Sequence, residues 1–252
     1  MSKKTDRQPN IPPPLADIET ASDDYATRFA GPSGQWLLWV QEQGTRHVLA
    51  CTKNVHTILD VGGGHAQLTH VYLEKDHEVM VVGSAPTPGT RLEKALQHPN
   101  CSYIAADLLQ LPFPHKHFHL VSSFRLLTHC KEWERLVEQL CKVSRTYVLL
   151  DYPTSQSINA IAPALFDAKK KVEKNTRYWR SFRHKEVDQV FYKQGFARVA
   201  TYKQFFLPMA LHRLLRCKRL SQLMERVARL CGLTRWLGSP VIALYQRKTK
   251  DD

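Results

Sequence analysis

The sequence has few acidic residues for its size and lacks several patterns that mark particular protein classes. Its 252 residues include 23 Asp and Glu against 36 Lys and Arg, a formal net charge of +13. None of its six cysteines lies in a C-x-x-C pair, which argues against a zinc knot or a disulfide framework. It contains no run of about 20 apolar residues, and no apolar signal-peptide core follows its polar N-terminus. We therefore expect a reduced, soluble and cytoplasmic protein.

Apolar residues are plentiful, and the positive charge is concentrated near the C-terminus. Hydrophobic residues make up 43% of the chain and aromatic residues 10%, enough for the core of one compact domain. From Thr201 onward, eleven Lys and Arg face only three acidic residues. Such a surface suits nucleic acid, an anionic membrane, an acidic substrate or a solvated helix face. Charge alone does not distinguish among these four interpretations.

The pattern along the chain predicts an arm followed by one α/β domain. Residues 1–20 are polar with a Pro12–Pro14 run, which indicates a flexible arm, and 21–252 form the domain, beginning with helical segments over 21–54. Alternating strand and helix patterns then predict a doubly wound, mostly parallel sheet with helices on both faces. The predicted strands are 57–61, 78–82, 102–105, 118–122, 147–150, 197–205 and 240–246. The predicted helices are 67–73, 91–96, 133–141, 157–172 and 185–193.

A glycine-rich turn follows the first predicted strand. The strand ends in Asp60-Val61 and runs into Gly62-Gly63-Gly64-His65-Ala66, the nucleotide-binding position of a doubly wound sheet. Glycines let a ligand approach the backbone closely. A dinucleotide fingerprint needs a small residue where this chain has Gln67, so a pyrophosphate site is disfavoured. Asp60 instead suits a ligand with an amine group.

Three segments resemble the class I S-adenosylmethionine-dependent methyltransferases. They read ILDVGGGHAQLT from Ile58, DLLQLPFP from Asp107, and the strand 118–123 followed by Leu127-Thr128-His129. The residues of these motifs are most similar to those of the ubiquinone and menaquinone precursor methyltransferases. The resemblance implies S-adenosyl-L-methionine as cofactor, methyl transfer as the activity, and a set of cofactor-binding residues: Asp60, Gly62, Gly63, Gly64, His65, Ser84, Asp107, Leu108 and Ser123.

One departure concerns the end of the second strand. The family usually has an acidic residue there to hold the ribose hydroxyls, but this chain reads Val82-Gly83-Ser84-Ala85-Pro86. Ser84 would supply only a neutral hydrogen bond, which is weaker than a charge-assisted one. A non-catalytic binding protein with this fold therefore stays an alternative, as does an RNA methyltransferase on charge alone.

The candidate reaction and acceptor residues lie around the carboxyl ends of the predicted strands. His129 follows the fourth strand and is the candidate general base, although a histidine at a helix start also commonly faces solvent. Tyr152 follows the fifth strand, and Tyr25 with Arg28 resembles an N-terminal lid; these three would line the acceptor pocket. The alternating histidines near His117 are more typical of a solvated loop than of a metal site. We expect no metal.

A basic insertion over 208–237 precedes the last strand. It carries an apolar stripe at helical spacing: Leu220, Leu223, Met224, Val227 and Leu230. Arg219, Arg226 and Arg229 lie beside that stripe. This composition fits a lid over an apolar pocket or a peripheral contact with a membrane surface, while packing on the sheet is the structural alternative. We expect a small, partly apolar acceptor: a quinone precursor, lipid intermediate or secondary metabolite. Nucleic acid is disfavoured because exposed aromatics are few here.

Overall fold

The computed structural model describes residues 17, 31–63, 67–86, 90–158, 178–215 and 217–249. Seven strands in these ranges form one sheet: β1 (Thr57–Val61), β2 (Glu78–Gly83), β3 (Cys101–Ala105), β4 (Phe118–Ser123), β5 (Ser144–Tyr152), β6 (Phe196–Phe205) and β7 (Ser239–Arg247). The helices are α1 (Gly31–Leu49), α2 (Thr69–Leu73), α3 (Thr90–Ala95), α4 (Trp133–Val143), α5 (His184–Lys193), α6 (Met209–Leu215), α7 (Lys218–Leu230) and α8 (Leu233–Leu237). A 3-10 turn spans Leu127–His129.

The sheet confirms the predicted fold class. Its strand order is β3-β2-β1-β4-β5-β7-β6. Pairs from β3 through to β5 are parallel, and β7 runs antiparallel between β5 and β6. Parallel strands with helical crossovers are covered on both faces, and the central strands are accordingly apolar, with Ile58, Leu59 and Val61 fully buried.

Helices pack on both faces of this sheet. On one face, α4 contributes Leu136, Val137 and Leu140 to a core that also contains Phe191 of α5. Their spacing along α4 makes a continuous stripe one helix face wide. On the other face, Val48 of α1 joins side chains from α2 and the central strands. The two cores hold the strand ends at fixed positions, which determines where functional side chains meet.

Several element boundaries differ from the prediction. Strand β5 begins at Ser144 and ends at Tyr152. It is longer than predicted because its polar first residue, Ser144, already pairs with Phe118 of β4. The insertion contains three helices, and Gly232, with a left-handed φ of 75°, separates α7 from α8. Three of the six cysteines are buried and three are exposed. Most of the predicted helix over 157–172, and all of the arm except Asp17, lie outside the described residues.

Candidate active site

The glycine turn lies where the strand order reverses, between β1 and β4. In doubly wound sheets the ligand crevice opens at this point, beyond the carboxyl ends of the strands. Gly62 has φ of 76°, a conformation that favours glycine. A Cβ at Gly63 would overlap the carboxylate of Asp60. Glycine thus keeps the turn free of a Cβ at both positions, with the Leu126 side chain beside Gly62 and the Asp60 carboxylate against Gly63. Gly64 and His65 lie outside the described residues.

Asp60 is buried under the turn and bonded to neighbouring hydroxyls. Its Oδ1 accepts from Ser122 Oγ at 2.7 Å and its Oδ2 accepts from Thr69 Oγ1 at 3.4 Å. Burial raises the pKa of Asp60 to about 6, and the two hydroxyl groups offset part of that shift. The carboxylate is therefore mostly ionised at neutral pH. Because its pKa is close to neutrality, a small fall in pH lowers the ionised fraction. Its contact with a cofactor amino group stays a prediction.

At the end of β2, a carboxylate arrives from the N-terminal segment. The backbone N–H of Ser84 donates to Asp17 Oδ2 at 3.0 Å, and the Ser84 hydroxyl donates to Asp17 Oδ1. Asp17 is only 2% exposed. The sequence comparison placed Ser84 in the site and noted the missing acid, but it did not single out Asp17. A contact between residues 67 positions apart leaves no local sequence signal.

Three more of the predicted cofactor-binding residues lie at the end of β4 or in the loop after β3. Asp107 is exposed, and its Oδ1 accepts the backbone N–H of Leu109 at 2.8 Å. Leu108 beside it is buried. Ser123, the last residue of β4, is buried, and its hydroxyl has no hydrogen-bond partner among the described residues. The loop after β3 thus offers a carboxylate to solvent, and the end of β4 offers an unsatisfied hydroxyl.

A cluster around Arg125 joins three elements at the same edge. Arg125 follows β4 with φ of 59°, and its backbone N–H donates to Asp151 Oδ1 at 2.5 Å. Its guanidinium donates to Gln41 Oε1 of α1. Burial raises the pKa of Asp151 to about 6. Sequence reasoning missed Arg125 and Gln41, and neither carries a local sequence signal, because the left-handed backbone of Arg125 and its contact with Gln41 exist only in the folded chain.

The candidate base and the acceptor residues occupy different surroundings. His129 is half-buried on the 3-10 turn, with Nδ1 3.1 Å from the carbonyl oxygen of Tyr178. Tyr152 is fully buried; its hydroxyl is hydrogen-bonded to Nδ1 of His184 at 2.9 Å, and burial lowers the pKa of His184 to about 4. Tyr152 thus faces the core in this structure. Tyr25 and Arg28 lie outside the described residues. Within those residues, no cluster of His, Cys, Asp or Glu is suited to a metal ion.

Part of the chain matches a known family of protein domains. Residues 58–146 match the family model of a methyltransferase domain. This general family does not support the narrower likeness to quinone-precursor methyltransferases. No curated protein matches the sequence significantly.

Solved structures share the fold at low identity. The magnesium protoporphyrin IX methyltransferase of Synechocystis, solved with S-adenosylhomocysteine, has a TM-score of 0.62 at 14% identity, over 91% of this chain and 95% of its own. A methyltransferase of Thermotoga maritima has a TM-score of 0.62 at 11% identity, over 92% and 99%. A Haloferax volcanii complex of the Trm112 methyltransferase activator with a methyltransferase gives 0.62 at 12%, over 92% and 98%.

The site residues fit the cofactor of this family. The absence of a Cβ at Gly62 and Gly63 allows close approach to the backbone, and the unsatisfied hydroxyl of Ser123 offers a hydrogen-bonding group at the end of β4. The Asp60 carboxylate suits an amine, and the Asp107 carboxylate suits an exocyclic amino group. When bound, S-adenosylmethionine supplies a methyl group on a sulfonium sulfur. Residues 58–146 therefore match a methyltransferase domain, and the chain shares the fold of solved methyltransferases, one of them with bound S-adenosylhomocysteine.

Proposed function

We propose that this methyltransferase acts on a small, partly apolar acceptor that it meets at an anionic membrane surface. The observation that carries the proposal is the orientation of the insertion over 208–237, whose helix α7 turns its apolar stripe outward. A quinone precursor, a lipid intermediate or an apolar secondary metabolite would each belong to this acceptor class.

The insertion lies at the edge of the sheet where ligands bind. Because β7 is antiparallel to both β5 and β6, β5 and β6 run in the same direction. Helices α6 to α8 connect the end of β6 to the start of β7, so they stand at the carboxyl edge, with the glycine turn and His129. Helices α6 and α7 also contact α1. An acceptor that contacts this insertion therefore lies at the same edge of the sheet as the glycine turn and His129.

Helix α7 is anchored through its polar face. Glu225 is buried and accepts the backbone N–H groups of Phe206 at 2.9 Å and Leu207 at 2.8 Å. His212 Nε2 lies 2.9 Å from the same carboxylate. Ser221 and Ala228 share this inward face. With these residues inward, the apolar side of the helix must face away from the core.

The outward face exposes large apolar side chains. Among the described residues, seven of the twelve large apolar side chains that are exposed belong to the insertion: Leu214, Leu220, Leu223, Val227, Leu230, Leu233 and Trp236. Leu230 is 82% exposed and Trp236 75%. Apolar surface concentrated in this way marks an interaction site rather than ordinary surface. This finding argues against burial of the stripe on the sheet.

The charge around this face favours an anionic partner. A helix turns about 100° per residue, which places Arg219 and Arg226 beside Leu223 and Leu230. Both arginines are exposed, whereas Glu225, the acidic residue of the insertion, is buried. Apolar anchors with flanking arginines and a Trp are typical of helices that lie on anionic membranes. None of the described helices is long and apolar enough to cross a membrane.

For the reaction, we infer that His129 accepts the acceptor's proton. A ring that donates Nδ1–H to the carbonyl of Tyr178 carries its lone pair on Nε2. The fixed tautomer suits a general base at the end of β4. Alignment of the acceptor atom with the methyl carbon supplies most of the remaining acceleration.

Vesicle sedimentation tests the membrane contact. The protein is expected to bind anionic vesicles at low salt and to bind neutral ones weakly. Changing both Arg219 and Arg226 to Gln should weaken binding by roughly tenfold or more, because each basic residue contributes about 1 kcal/mol. The matched control changes the exposed Lys185 and Lys193 of α5 to Gln and should bind like wild type. Equal binding by both double variants, or none by wild type, contradicts the membrane proposal.

A labelled-methyl assay tests the acceptor class. The protein is incubated with methyl-labelled cofactor and a total lipid extract, and label is counted in organic and aqueous fractions. Organic-soluble label that His129→Ala reduces at least tenfold is the expected result. Label that appears only with RNA or aqueous metabolites would replace this acceptor class with another.

A further inference from the structure

We propose that Arg180 is a positioning residue that holds His129 in the tautomer with its proton on Nδ1. The inference rests on the proposed role of His129 as general base. It assigns a task to the short segment over 178–182, which we call the strap: the strap keeps His129 in the form that can accept a proton from the acceptor.

The strap is fixed at one end beside strand β5. The backbone N–H of Phe182 donates to the carbonyl of Pro153 at 2.9 Å, and the Phe182 carbonyl accepts the N–H of Ser155 at 2.9 Å. Pro153 directly follows β5, and the Phe182 side chain is fully buried. Phe182 therefore ties the strap to the carboxyl edge of the sheet, where His129 also lies.

Two further hydrogen bonds join the strap to the turn that carries His129. The backbone N–H of Arg180 donates to the carbonyl of Thr128 at 3.0 Å, and the Thr128 hydroxyl donates to the carbonyl of Arg180 at 2.7 Å. Because the two bonds run in opposite directions, they fix the two backbones relative to each other. His129 follows Thr128, and Tyr178 is two residues before Arg180. The pair therefore sets the 3.1 Å contact between His129 Nδ1 and the Tyr178 carbonyl oxygen.

The side chain of Arg180 holds the strap in this place. Its guanidinium carbon lies 5.3 Å from the ring centre of Trp133 and 5.2 Å from that of Phe182, and both rings are buried. The guanidinium also forms an ion pair with Glu186 of α5. Cation–π contacts and a charge-assisted hydrogen bond thus link the strap to the start of α4 and to α5. Loss of the charge at Arg180 removes these links together.

The tautomer decides whether His129 can act as a base at Nε2. A carbonyl oxygen only accepts hydrogen bonds, so the ring nitrogen that faces the Tyr178 carbonyl carries the proton, and Nε2 carries the lone pair. If the carbonyl moves away, the neutral ring distributes its proton between the two nitrogens. A ring with its proton on Nε2 cannot accept another proton there. The position of the strap therefore sets the fraction of His129 that is ready to react.

Nitrogen NMR of isotope-labelled histidine rings tests the proposal, because the two tautomers have different ring-nitrogen shifts. At about pH 8.5, where histidine is neutral, wild-type His129 should show the Nδ1–H tautomer, and the exposed His115 supplies reference shifts. In Arg180→Met, which keeps an apolar side chain but loses the charge, the shifts of His129 should move toward those of His115. The matched control Arg135→Met removes the exposed ion pair with Glu132 on α4 and should keep the wild-type tautomer.

The labelled-methyl assay links the tautomer to the reaction. General base catalysis contributes about 10²–10⁴-fold, so Arg180→Met should lower the rate of methyl transfer at least about tenfold while the affinity for S-adenosylhomocysteine stays unchanged. Full activity of His129→Ala would remove the proposed base role of His129. The NMR comparison would still decide whether Arg180 fixes the ring, so the two failures are distinguishable.

Three results would overturn the proposal. A wild-type tautomer in folded Arg180→Met would show that the strap does not depend on Arg180. An equal change of tautomer in Arg135→Met would assign the effect to general destabilisation. Undiminished methyl transfer by Arg180→Met with a changed tautomer, where His129→Ala is inactive, would show that the reaction does not need this positioning. If Arg180→Met does not fold, Thr128→Val, which removes the hydroxyl bond to the strap, must change the tautomer of His129 for the proposal to stand.

Discussion

At the scale of single residues, Asp60 combines deep burial with a proposed contact that requires its ionised form. Its pKa is raised to about 6 by burial, so the fraction ionised falls from most of the population at pH 7.5 to about a tenth at pH 5. A cofactor amino group is bound by the ionised carboxylate. We expect calorimetry with S-adenosylhomocysteine to show affinity falling about tenfold over this range.

Variants separate Asp60 from its neighbour of similar pKa. Asp60→Asn should weaken binding at pH 7.5 by about 1.5–3 kcal/mol, the range for a charge-assisted hydrogen bond, and should flatten the pH dependence. Asp151 also has a pKa of about 6, so Asp151→Asn is the matched control and should keep the pH dependence. If both variants keep the pH dependence of S-adenosylhomocysteine affinity, another residue holds the amino group.

At the scale of elements, the insertion depends on one carboxylate. Glu225 joins α7 to the start of the insertion through the backbone of Phe206 and Leu207 and to α6 through His212. Glu225→Ala would leave these buried donors unpaired, each costing about 1–3 kcal/mol. We expect local loosening of α6 and α7, measured as faster trypsin cleavage at Arg213 and Arg226, with unchanged affinity for S-adenosylhomocysteine. Glu225→Gln keeps an acceptor and should be cleaved more slowly than Glu225→Ala; cleavage of all three proteins at one rate would contradict this anchor.

The same helix shows what a sequence period can and cannot predict. The spacing of Leu220, Leu223 and Val227 predicted an amphipathic helix, which the structure confirms. It could not predict which face packs inward, because that depends on hydrogen bonds between Glu225 and a turn that lies earlier in the chain. In this helix, the three hydrogen bonds to buried Glu225 determine which face packs inward, and the leucines face outward as a result.

At the scale of the whole molecule, strand alternation and the glycine turn were enough to predict the doubly wound sheet and the edge where ligands bind. These features are local: each strand has its own apolar run, and the carboxyl ends of parallel strands share one edge. The contacts of Asp17 with Ser84 and of Arg125 with Gln41 join segments far apart in sequence. Only the folded chain brings these polar pairs together, so sequence reasoning about each strand end could not find them.

Cofactor binding should stabilise the entire domain, because the crevice between β1 and β4 joins both halves of the sheet. Ligand at a hundred times its Kd adds about 2.7 kcal/mol to the free energy of unfolding, which corresponds to a rise in Tm of roughly 5–10 °C for a chain of this size. Thermal melting with and without S-adenosylhomocysteine measures this shift.

Two glycine variants show whether the shift arises at the proposed turn. In Gly63→Ala the new Cβ would overlap the Asp60 carboxylate, so the carboxylate must move, and the ligand-induced rise in Tm should vanish. Gly195→Ala is the matched control. Gly195 has φ of 76° with open space around it, so the alanine lowers the Tm of the ligand-free protein through backbone strain alone. The ligand-induced rise should then persist at its full size. A full rise in Gly63→Ala would mean that the cofactor does not depend on this turn, and loss of the rise in both variants would show that the measurement reports general destabilisation.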